Sequence, residues 1–192
     1  MSKSQKSSQK SGKKTIEEKY QKMDPHEHIL AKPGMYIGST KKITTKMWIV
    51  NSDAKTEADP KIILKEITYV PGFYKICDEI LVNARDRTAL KLKMACTKIK
   101  FNIDKKAGRI TVWNDGDGID IVEHKKYKIL VPTMLFSDLL SGTNLSKEGA
   151  NERVTGGTNG LGAKLTNIYS TEFELETVDS KRGLKFYQKL LK

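Results

Sequence analysis

A glycine-rich stretch near the end of the chain has the residue types of a phosphate-binding loop. Residues 154–164 read VTGGTNGLGAK and contain four glycines, an asparagine and a lysine. Glycine allows neighbouring backbone N–H groups to point toward a single anion. The residues that follow can open a helix, whose N-terminus favours negative charge. The stretch predicts a polyphosphate cradle, and a flexible surface loop is the alternative for such a stretch taken alone.

The position of the lysine separates this stretch from the commoner phosphate loops. A P-loop has its Lys directly after a Gly and before a Ser or Thr. Here Ala163 precedes Lys164 and Leu165 follows it. The glycines read G-x-x-G-x-G from Gly157 to Gly162, whereas dinucleotide and kinase loops read G-x-G-x-x-G. The sequence therefore indicates a different class of nucleotide site.

A second group of polar residues lies on a predicted helix. Apolar residues recur at spacings of three and four over residues 73–87, which predicts an amphipathic helix. Glu79, Asn83 and Asp86 share one face of it. A solvated acidic face would explain Glu79 and Asp86. The Asn83 amide can supply an oxygen to Mg²⁺, and Glu79, one turn away, can polarise a water for attack on a γ-phosphate.

The third motif follows a predicted strand. Residues 113–119 read WNDGDGI, and the amide of Asn114 can both donate and accept hydrogen bonds, as adenine recognition requires. An ordinary turn is the alternative, because Asn-Asp-Gly is common turn chemistry. The order of the motifs favours a nucleotide site over an ordinary turn. A base and metal ligand come first, then an adenine reader, a polar loop over residues 141–153 and a phosphate cradle.

The elements that must position these motifs alternate between strand and helix patterns. Predicted strands cover residues 47–50, 62–70, 99–103, 110–113 and 184–190, with another beginning at Phe173. Predicted helices cover residues 24–30, 73–87, 131–140 and 163–168, and residues 32–39 form a predicted Pro/Gly loop. This pattern predicts an α+β fold, a two-layer sandwich of a mixed, mostly antiparallel sheet with helices on one face.

Composition limits the function classes. The 192 residues carry a net charge of +12, which favours a polyanionic partner. Residues 1–22 hold seven lysines and two glutamates and are predicted to be a disordered basic tail. We expect the tail either to direct the chain to the nucleus or to contact nucleic acid loosely. The alternative is a tail that only keeps the chain solvated. The sequence contains no run of eighteen apolar residues, so we expect no membrane partner. Cys77 and Cys96 fit structural cysteines in a reducing compartment.

Four segments in this order resemble the ATPase superfamily of gyrase, the ninety-kilodalton chaperone, histidine kinases and mismatch-repair proteins. The resemblance is closer to the N-terminal ATPase region of eukaryotic-type DNA topoisomerase II. It is carried by HILAKPGMYIG at 28–38, VPGFYKICDEILVNA at 70–84, WNDGDGI at 113–119 and VTGGTNGLGAK at 154–164. It runs from about residue 20 to the end and implies a Bergerat-type ATP-binding domain, with an N-terminal strap, over residues 23–192.

The resemblance implies a role for each matching residue. Glu79 matches the general base, Asn83 the Mg²⁺ ligand and Asn114 the adenine contact. Tyr36 matches a strap residue that reaches the nucleotide of the partner subunit. The matching lid positions are Gly142, Thr143 and Asn144, with Gly142 in place of a usual serine. The matching triphosphate loop is Gly157, Thr158, Asn159, Gly160, Leu161, Gly162, Ala163 and Lys164.

Two arginines depart from the family pattern. Arg85 and Arg87 replace smaller or amide residues, and they add either phosphate contacts or only surface charge.

The resemblance also implies an activity. The family is nuclear, binds ATP and Mg²⁺, forms a homodimer on ATP binding and passes one DNA duplex through a transient break in another. The family's transducer and cleavage domains lie outside these residues, so we expect ATP binding with weak hydrolysis and no strand passage by this chain alone. A chromatin-associated or mismatch-repair ATPase is less favoured, because Tyr36 and the helix around Glu79 match topoisomerase II. A non-catalytic basic nucleic-acid-binding protein that kept the fold is the alternative from another class.

Overall fold

The computed structural model describes residues 15–20, 22–89, 96–139, 141–142 and 160–192. Helices and strands are mixed along these residues, as the sequence predicts. The helices are α1 Ile16–Lys19, α2 Pro25–Ala31, α3 Pro33–Tyr36, α4 Pro71–Ala89, α5 Val131–Ser137 and α6 Gly162–Ile168. The strands are β1 Ile43–Val50, β2 Ile62–Tyr69, β3 Ile99–Asp104, β4 Arg109–Asn114, β5 Glu172–Asp179 and β6 Leu184–Leu191.

All described strand pairs are antiparallel. Strand β1 pairs with β2, β3 with β4 and β5 with β6, each as a two-stranded sheet. The last two pairs are connected by tight turns, in which Gly108 and Gly183 adopt φ values of 62° and 65°. The α+β class with antiparallel strands is confirmed, and β4 and β5 bring their ends to the candidate site.

Helix α4 is the longest described element. It runs for 19 residues from Pro71 to Ala89, two residues beyond each end of the predicted helix. Pro71 suits the first turn because its missing N–H has no intrahelical partner there. The same Pro71-Gly72 pair ends strand β2, so the chain passes from strand to helix within two residues. Gly72 packs tightly there, since an added Cβ would lie 3.0 Å from Cδ1 of Ile37.

Helix α5 is shorter than predicted, and a side chain contacts its last turn. The sequence predicts a helix over residues 131–140, whereas the structure ends it at Ser137. The Ser141 hydroxyl lies 2.6 Å from the Met134 carbonyl oxygen and 2.8 Å from that of Asp138. The Met134 carbonyl also accepts the backbone N–H of Asp138 at 3.1 Å, so the Ser141 hydroxyl adds a second contact to the last turn of the helix.

The buried core joins the N-terminal strap to helix α6. Ile29 and Ile37 pack with Leu165 and Ile168, and all four side chains are buried. The Tyr169 hydroxyl donates to the Ile29 carbonyl at 2.5 Å. The core therefore lies directly beneath the helix that follows the glycine-rich loop.

Two local structures differ from the sequence expectation. The strap segment predicted as a loop contains one helical turn, α3, which is opened by Pro33. Residues 16–19 form another single turn, α1, inside the segment predicted to be a disordered tail. Both turns are four residues long, and such short turns carry little of the periodicity on which sequence prediction rests.

Candidate functional site

The predicted general base lies on helix α4 beside a lysine. Glu79 is half-buried, and its Oε1 forms an ion pair with Nζ of Lys75, one turn earlier on the same helix. The Glu79 carboxylate raises the pKa of Lys75. The predicted general base is therefore held in an ion pair on its own helix.

The second carboxylate oxygen of Glu79 faces the start of helix α6. A Cβ placed on Gly162 would lie 1.9 Å from Oε2 of Glu79, so only a glycine leaves room for the carboxylate at this point. The Thr166 hydroxyl donates to the Ile76 carbonyl at 2.8 Å and ties α6 to α4. The end of the predicted phosphate loop and the predicted base are thus in direct contact.

The glycine loop enters helix α6 through a left-handed residue. Gly160 has a φ of 61°, a conformation that side-chain-bearing residues rarely adopt. Leu161 is half-buried, and Ala163 is buried in α6. Gly157, Thr158 and Asn159 of the predicted loop lie outside the described residues.

Lys164 is buried although it carries a charge. Its side chain lies in α6 with 3% exposure, and its Nζ donates to the carbonyl oxygen of Ser141. Burial lowers the pKa of Lys164 to about 8, against the opposing effect of nearby Asp138. The lysine predicted to bind phosphate therefore contacts the segment that precedes the predicted lid.

The predicted lid is described only at its start. Ser141 and Gly142 line a cavity of about 380 Å³ on the side of α5 that faces His124 and Tyr127. Thr143 and Asn144 lie outside the described residues.

The turn after strand β4 is held at its beginning by a carboxylate. We call residues 114–118 the Asn114 turn. Asp115 accepts the backbone N–H groups of Thr97 and Lys98, each at 2.8 Å, and the Thr97 hydroxyl at 2.6 Å. These hydrogen bonds hold the pKa of Asp115 well below its usual range. The amide oxygen of Asn114 accepts the N–H of Gly116 at 3.2 Å.

The end of the Asn114 turn packs against strand β5. A Cβ on Gly118 would lie 1.9 Å from the carbonyl oxygen of Val178. The N–H of Ile119 donates to the Thr177 hydroxyl, and the N–H of Ile121 donates to the Asp179 carboxylate, both at 3.0 Å. Asn-x-Gly-x-Gly is therefore an anchored turn here, with its second glycine required by the neighbouring backbone.

Helix α4 also contacts this turn. Nη2 of Arg87 donates to the carbonyl oxygens of Asp117 and Gly118, the latter at 3.0 Å. Arg85 is exposed instead, and its Nη1 lies 3.5 Å from the Asp86 carboxylate. Asp86 has 7% exposure, so the solvated acidic face considered from the sequence does not extend to this residue.

The strap residue Tyr36 contacts its own chain. Its hydroxyl lies 2.9 Å from Nδ1 of His28, and the two rings meet edge to face with centroids 5.8 Å apart. Tyr36 also packs against the core, beside Tyr169.

The residues around Asn83 fit a magnesium ion that is held largely by its substrate. Among the described residues, no group of three or more His, Cys, Asp or Glu side chains could hold a metal ion. Mg²⁺ in nucleotide sites needs few protein oxygens, because phosphates and water complete its shell. The Asn83 amide, one turn from Glu79, suits that arrangement. An amide oxygen is a donor that magnesium accepts, so Asn83 is compatible with its predicted role.

Besides the contact of Glu79 with Gly162, three contacts at the site were missed in the sequence analysis. The i, i+4 spacing of Lys75 and Glu79 was a usable signal. The bonds from Lys164 to Ser141 and from Arg87 to the Asn114 turn join residues that are 23 and about 30 positions apart. No local pattern reports such pairs.

Comparison with known proteins gives a consistent family. No protein-family model matches the chain. DNA topoisomerase 2 of Acanthamoeba polyphaga mimivirus is 54% identical over 189 residues, which are 98% of this chain and 14% of the viral protein. Human DNA topoisomerase 2-alpha is 44% identical over 174 residues, 91% of this chain and 11% of the human protein. The ATPase and transducer domains of Balamuthia mandrillaris DNA topoisomerase II superimpose with a TM-score of 0.83 at 46% identity, covering 93% of this chain and 43% of that one.

The chain is homologous to the ATPase region of DNA topoisomerase II. The ATPase region of Saccharomyces cerevisiae topoisomerase II, with a TM-score of 0.78 and 43% identity over 91% of this chain and 44% of the yeast chain, agrees with this assignment. The chain spans about a seventh of the length of the viral topoisomerase it matches. No helix in the described part of the chain has the length and apolarity needed to cross a membrane.

Proposed function

We propose that this chain binds and hydrolyses ATP as the nucleotide-binding region of a type II DNA topoisomerase. The contact between the Glu79 carboxylate and Gly162 carries the proposal. It joins a general base to the helix N-terminus at which a triphosphate would end. Homology to topoisomerase II ATPase regions supports the same function.

Each part of the site has a task in this proposal. Asn114 reads the adenine, while the glycine loop and Lys164 hold the phosphates. Glu79 takes a proton from the attacking water, and its ion pair with Lys75 orients the carboxylate. Asn83 would hold Mg²⁺, which neutralises developing charge on the phosphates when it is bound.

Isothermal titration calorimetry with a non-hydrolysable ATP analogue and Mg²⁺ tests the proposal. We expect binding by the wild-type chain and its loss in Gly160→Val, because a β-branched residue cannot easily adopt a φ of 61°. Gly108→Val is the matched control, since Gly108 has a φ of 62° and open space around it, outside the site. Absence of binding by the wild type, or binding by Gly160→Val equal to that of Gly108→Val, would overturn the proposal.

A second variant separates an enzyme from a binding protein that kept the fold. Glu79→Gln removes the base and keeps the shape of the side chain, so we expect retained ATP affinity and lost hydrolysis under single-turnover conditions. Hydrolysis unaffected by Glu79→Gln would exclude Glu79 as the base.

We extend the proposal to the dimer and to DNA. ATP binding brings two copies together through the strap that carries Tyr36, and the dimer acts in passing one DNA duplex through a transient break in another. Analytical ultracentrifugation with and without the ATP analogue tests the first step. A sedimentation coefficient that the analogue leaves unchanged would refute ATP-driven dimerisation of this chain.

The basic tail is proposed to act in nuclear import or DNA contact. Residues 1–22 carry seven lysines, enough to give DNA affinity a strong dependence on salt. A reporter fused to residues 1–22 that stays outside the nucleus would exclude the targeting role. Salt-dependent DNA affinity that survives deletion of residues 1–22 would place the DNA contact on the folded part.

A further inference from the structure

Arg87 and Asn83 lie one helical turn apart on α4. Residues at i and i+4 share a face of a helix, so Arg87 projects from the same side as the predicted magnesium ligand. The sequence leaves Arg87 either a phosphate contact or surface charge. The structure gives it a third role, because its guanidinium donates to the backbone of the Asn114 turn.

The geometry of these bonds suits arginine. One guanidinium nitrogen, Nη2, reaches the carbonyl oxygens of both Asp117 and Gly118, and the contact is partly buried. Hydrogen bonds from a charged donor are stronger than those between neutral groups. The guanidinium is always charged, so both hydrogen bonds that join the turn to α4 have a charged donor.

The other anchors of the turn lead to different elements. Asp115 ties its beginning to residues 97–98, and the segment after it is tied to β5 through Thr177. Arg87 links the turn by hydrogen bonds to the helix that carries Glu79 and Asn83. The spacing between the adenine-reading side of the site and its hydrolytic side is therefore expected to respond to a change at this residue.

We propose that Arg87 is a positioning residue of the nucleotide site, which holds the Asn114 turn at a fixed place relative to helix α4 and thereby sets affinity for the adenine part of the ligand. The inference rests on the proposed ATP-binding function. It makes Arg87 act through Asn114 and assigns it no direct contact with phosphate.

The first test compares two ligands by calorimetry on the full chain. Arg87→Met removes the donors and keeps much of the aliphatic stem. We expect it to weaken binding of the ATP analogue about tenfold, while binding of inorganic tripolyphosphate changes by less than about twofold. Arg87→Lys, which keeps a charge that can reach one carbonyl, should restore part of the affinity. Arg85→Met is the matched control and should leave both affinities unchanged. Equal losses for both ligands would make Arg87 a phosphate contact and overturn the inference, as would unchanged affinity for the analogue.

The second test needs no nucleotide and therefore separates this inference from the proposed function. Hydrogen exchange followed by mass spectrometry should show faster exchange over residues 114–121 in Arg87→Met than in the wild type or Arg85→Met. Faster exchange confined to this segment supports the positioning role even in a chain that binds no ATP. Unchanged exchange, or exchange that is faster throughout the chain, would overturn it.

Discussion

Two glycines of the candidate site meet very different neighbours. A Cβ on Gly118 would strike the backbone carbonyl of Val178, and a Cβ on Gly162 would strike the carboxylate of Glu79, each at 1.9 Å. A strand backbone cannot move without breaking its pairing, whereas the end of a glutamate side chain can rotate away. The first glycine is therefore required by the fold and the second by the chemistry. The same short distance from an added Cβ is thus expected to affect stability at Gly118 and catalysis at Gly162.

The largest expected effect follows from Gly118→Ala. Relief of the clash with Val178 needs backbone movement in β5 or in the Asn114 turn, and overpacking of this kind costs about 1–3 kcal/mol or more. Urea denaturation should show a clearly lower free energy of unfolding. Gly34→Ala is the control, because nothing lies within 4 Å of an added Cβ at Gly34. Equal stability of the two variants would mean that the turn moves freely.

Gly162→Ala should spare the fold and damage the chemistry. Rotation of the Glu79 carboxylate relieves the contact, so the unfolding midpoint should stay near that of the wild type. The displaced base should lower single-turnover ATP hydrolysis by about 100-fold or more, which is the range of general-base catalysis. If Gly162→Ala destabilises the chain as much as Gly118→Ala, the distinction between the two glycines fails.

The buried side chain of Lys164, two residues after Gly162, predicts a pH dependence of nucleotide binding. The pKa of Lys164 is about 8 in the fold and 10.5 in its ordinary state, so the ammonium group is lost above pH 8. We expect binding of the ATP analogue to weaken about fivefold or more between pH 7 and pH 9. Lys164→Arg stays charged and should flatten this dependence. Wild-type affinity that is constant over this range would contradict the role of Lys164.

Stability should change with pH in the opposite direction. Above pH 8 the unfolded chain holds the Lys164 proton more firmly than the folded chain does, because the folded-state pKa is lowered. The contribution of Lys164 to the free energy of unfolding therefore rises between about pH 8 and pH 10.5. Denaturant titrations of the wild type and Lys164→Arg in this window isolate that contribution by difference.

The smallest effect is expected from Lys75→Met. Its ion pair with Glu79 is partly exposed, and exposed pairs contribute little. We expect hydrolysis to fall about two- to fivefold with unchanged ATP affinity. A loss as large as that of Glu79→Gln would instead place Lys75 in direct contact with the reacting groups.

Much of the fold could be predicted from local patterns. The period of helix α4, the alternation in strands β3 and β4, and the Pro and Gly boundaries each depend on neighbouring residues. The predicted end of α5 at residue 140 was wrong, since the helix ends at Ser137, where the Ser141 hydroxyl contacts the Met134 and Asp138 carbonyls. Periodicity does not report such a contact.

The candidate site was predicted as a set of motifs, and its geometry was not. Residue types and spacing indicated the roles of Glu79, Asn83 and Asn114, and the family resemblance implied the same roles, which stay predictions. The structure adds the contact of Glu79 with Gly162 and the bonds made by Lys164 and Arg87. These contacts join residues that are far apart in the sequence. Local sequence patterns therefore cannot predict them.

The packing of the strap affects how truncation experiments should be interpreted. Ile29 and Ile37 contribute half of the buried cluster under helix α6, and the Ile29 carbonyl accepts the Tyr169 hydroxyl. A deletion of the first 38 residues, made to test the proposed role of the strap between subunits, would also open a cavity beneath helix α6. A truncated chain that no longer binds ATP would then report disrupted packing of α6 and would not test the proposed subunit interface. Point changes at exposed strap positions such as Met35 are the cleaner way to probe that interface.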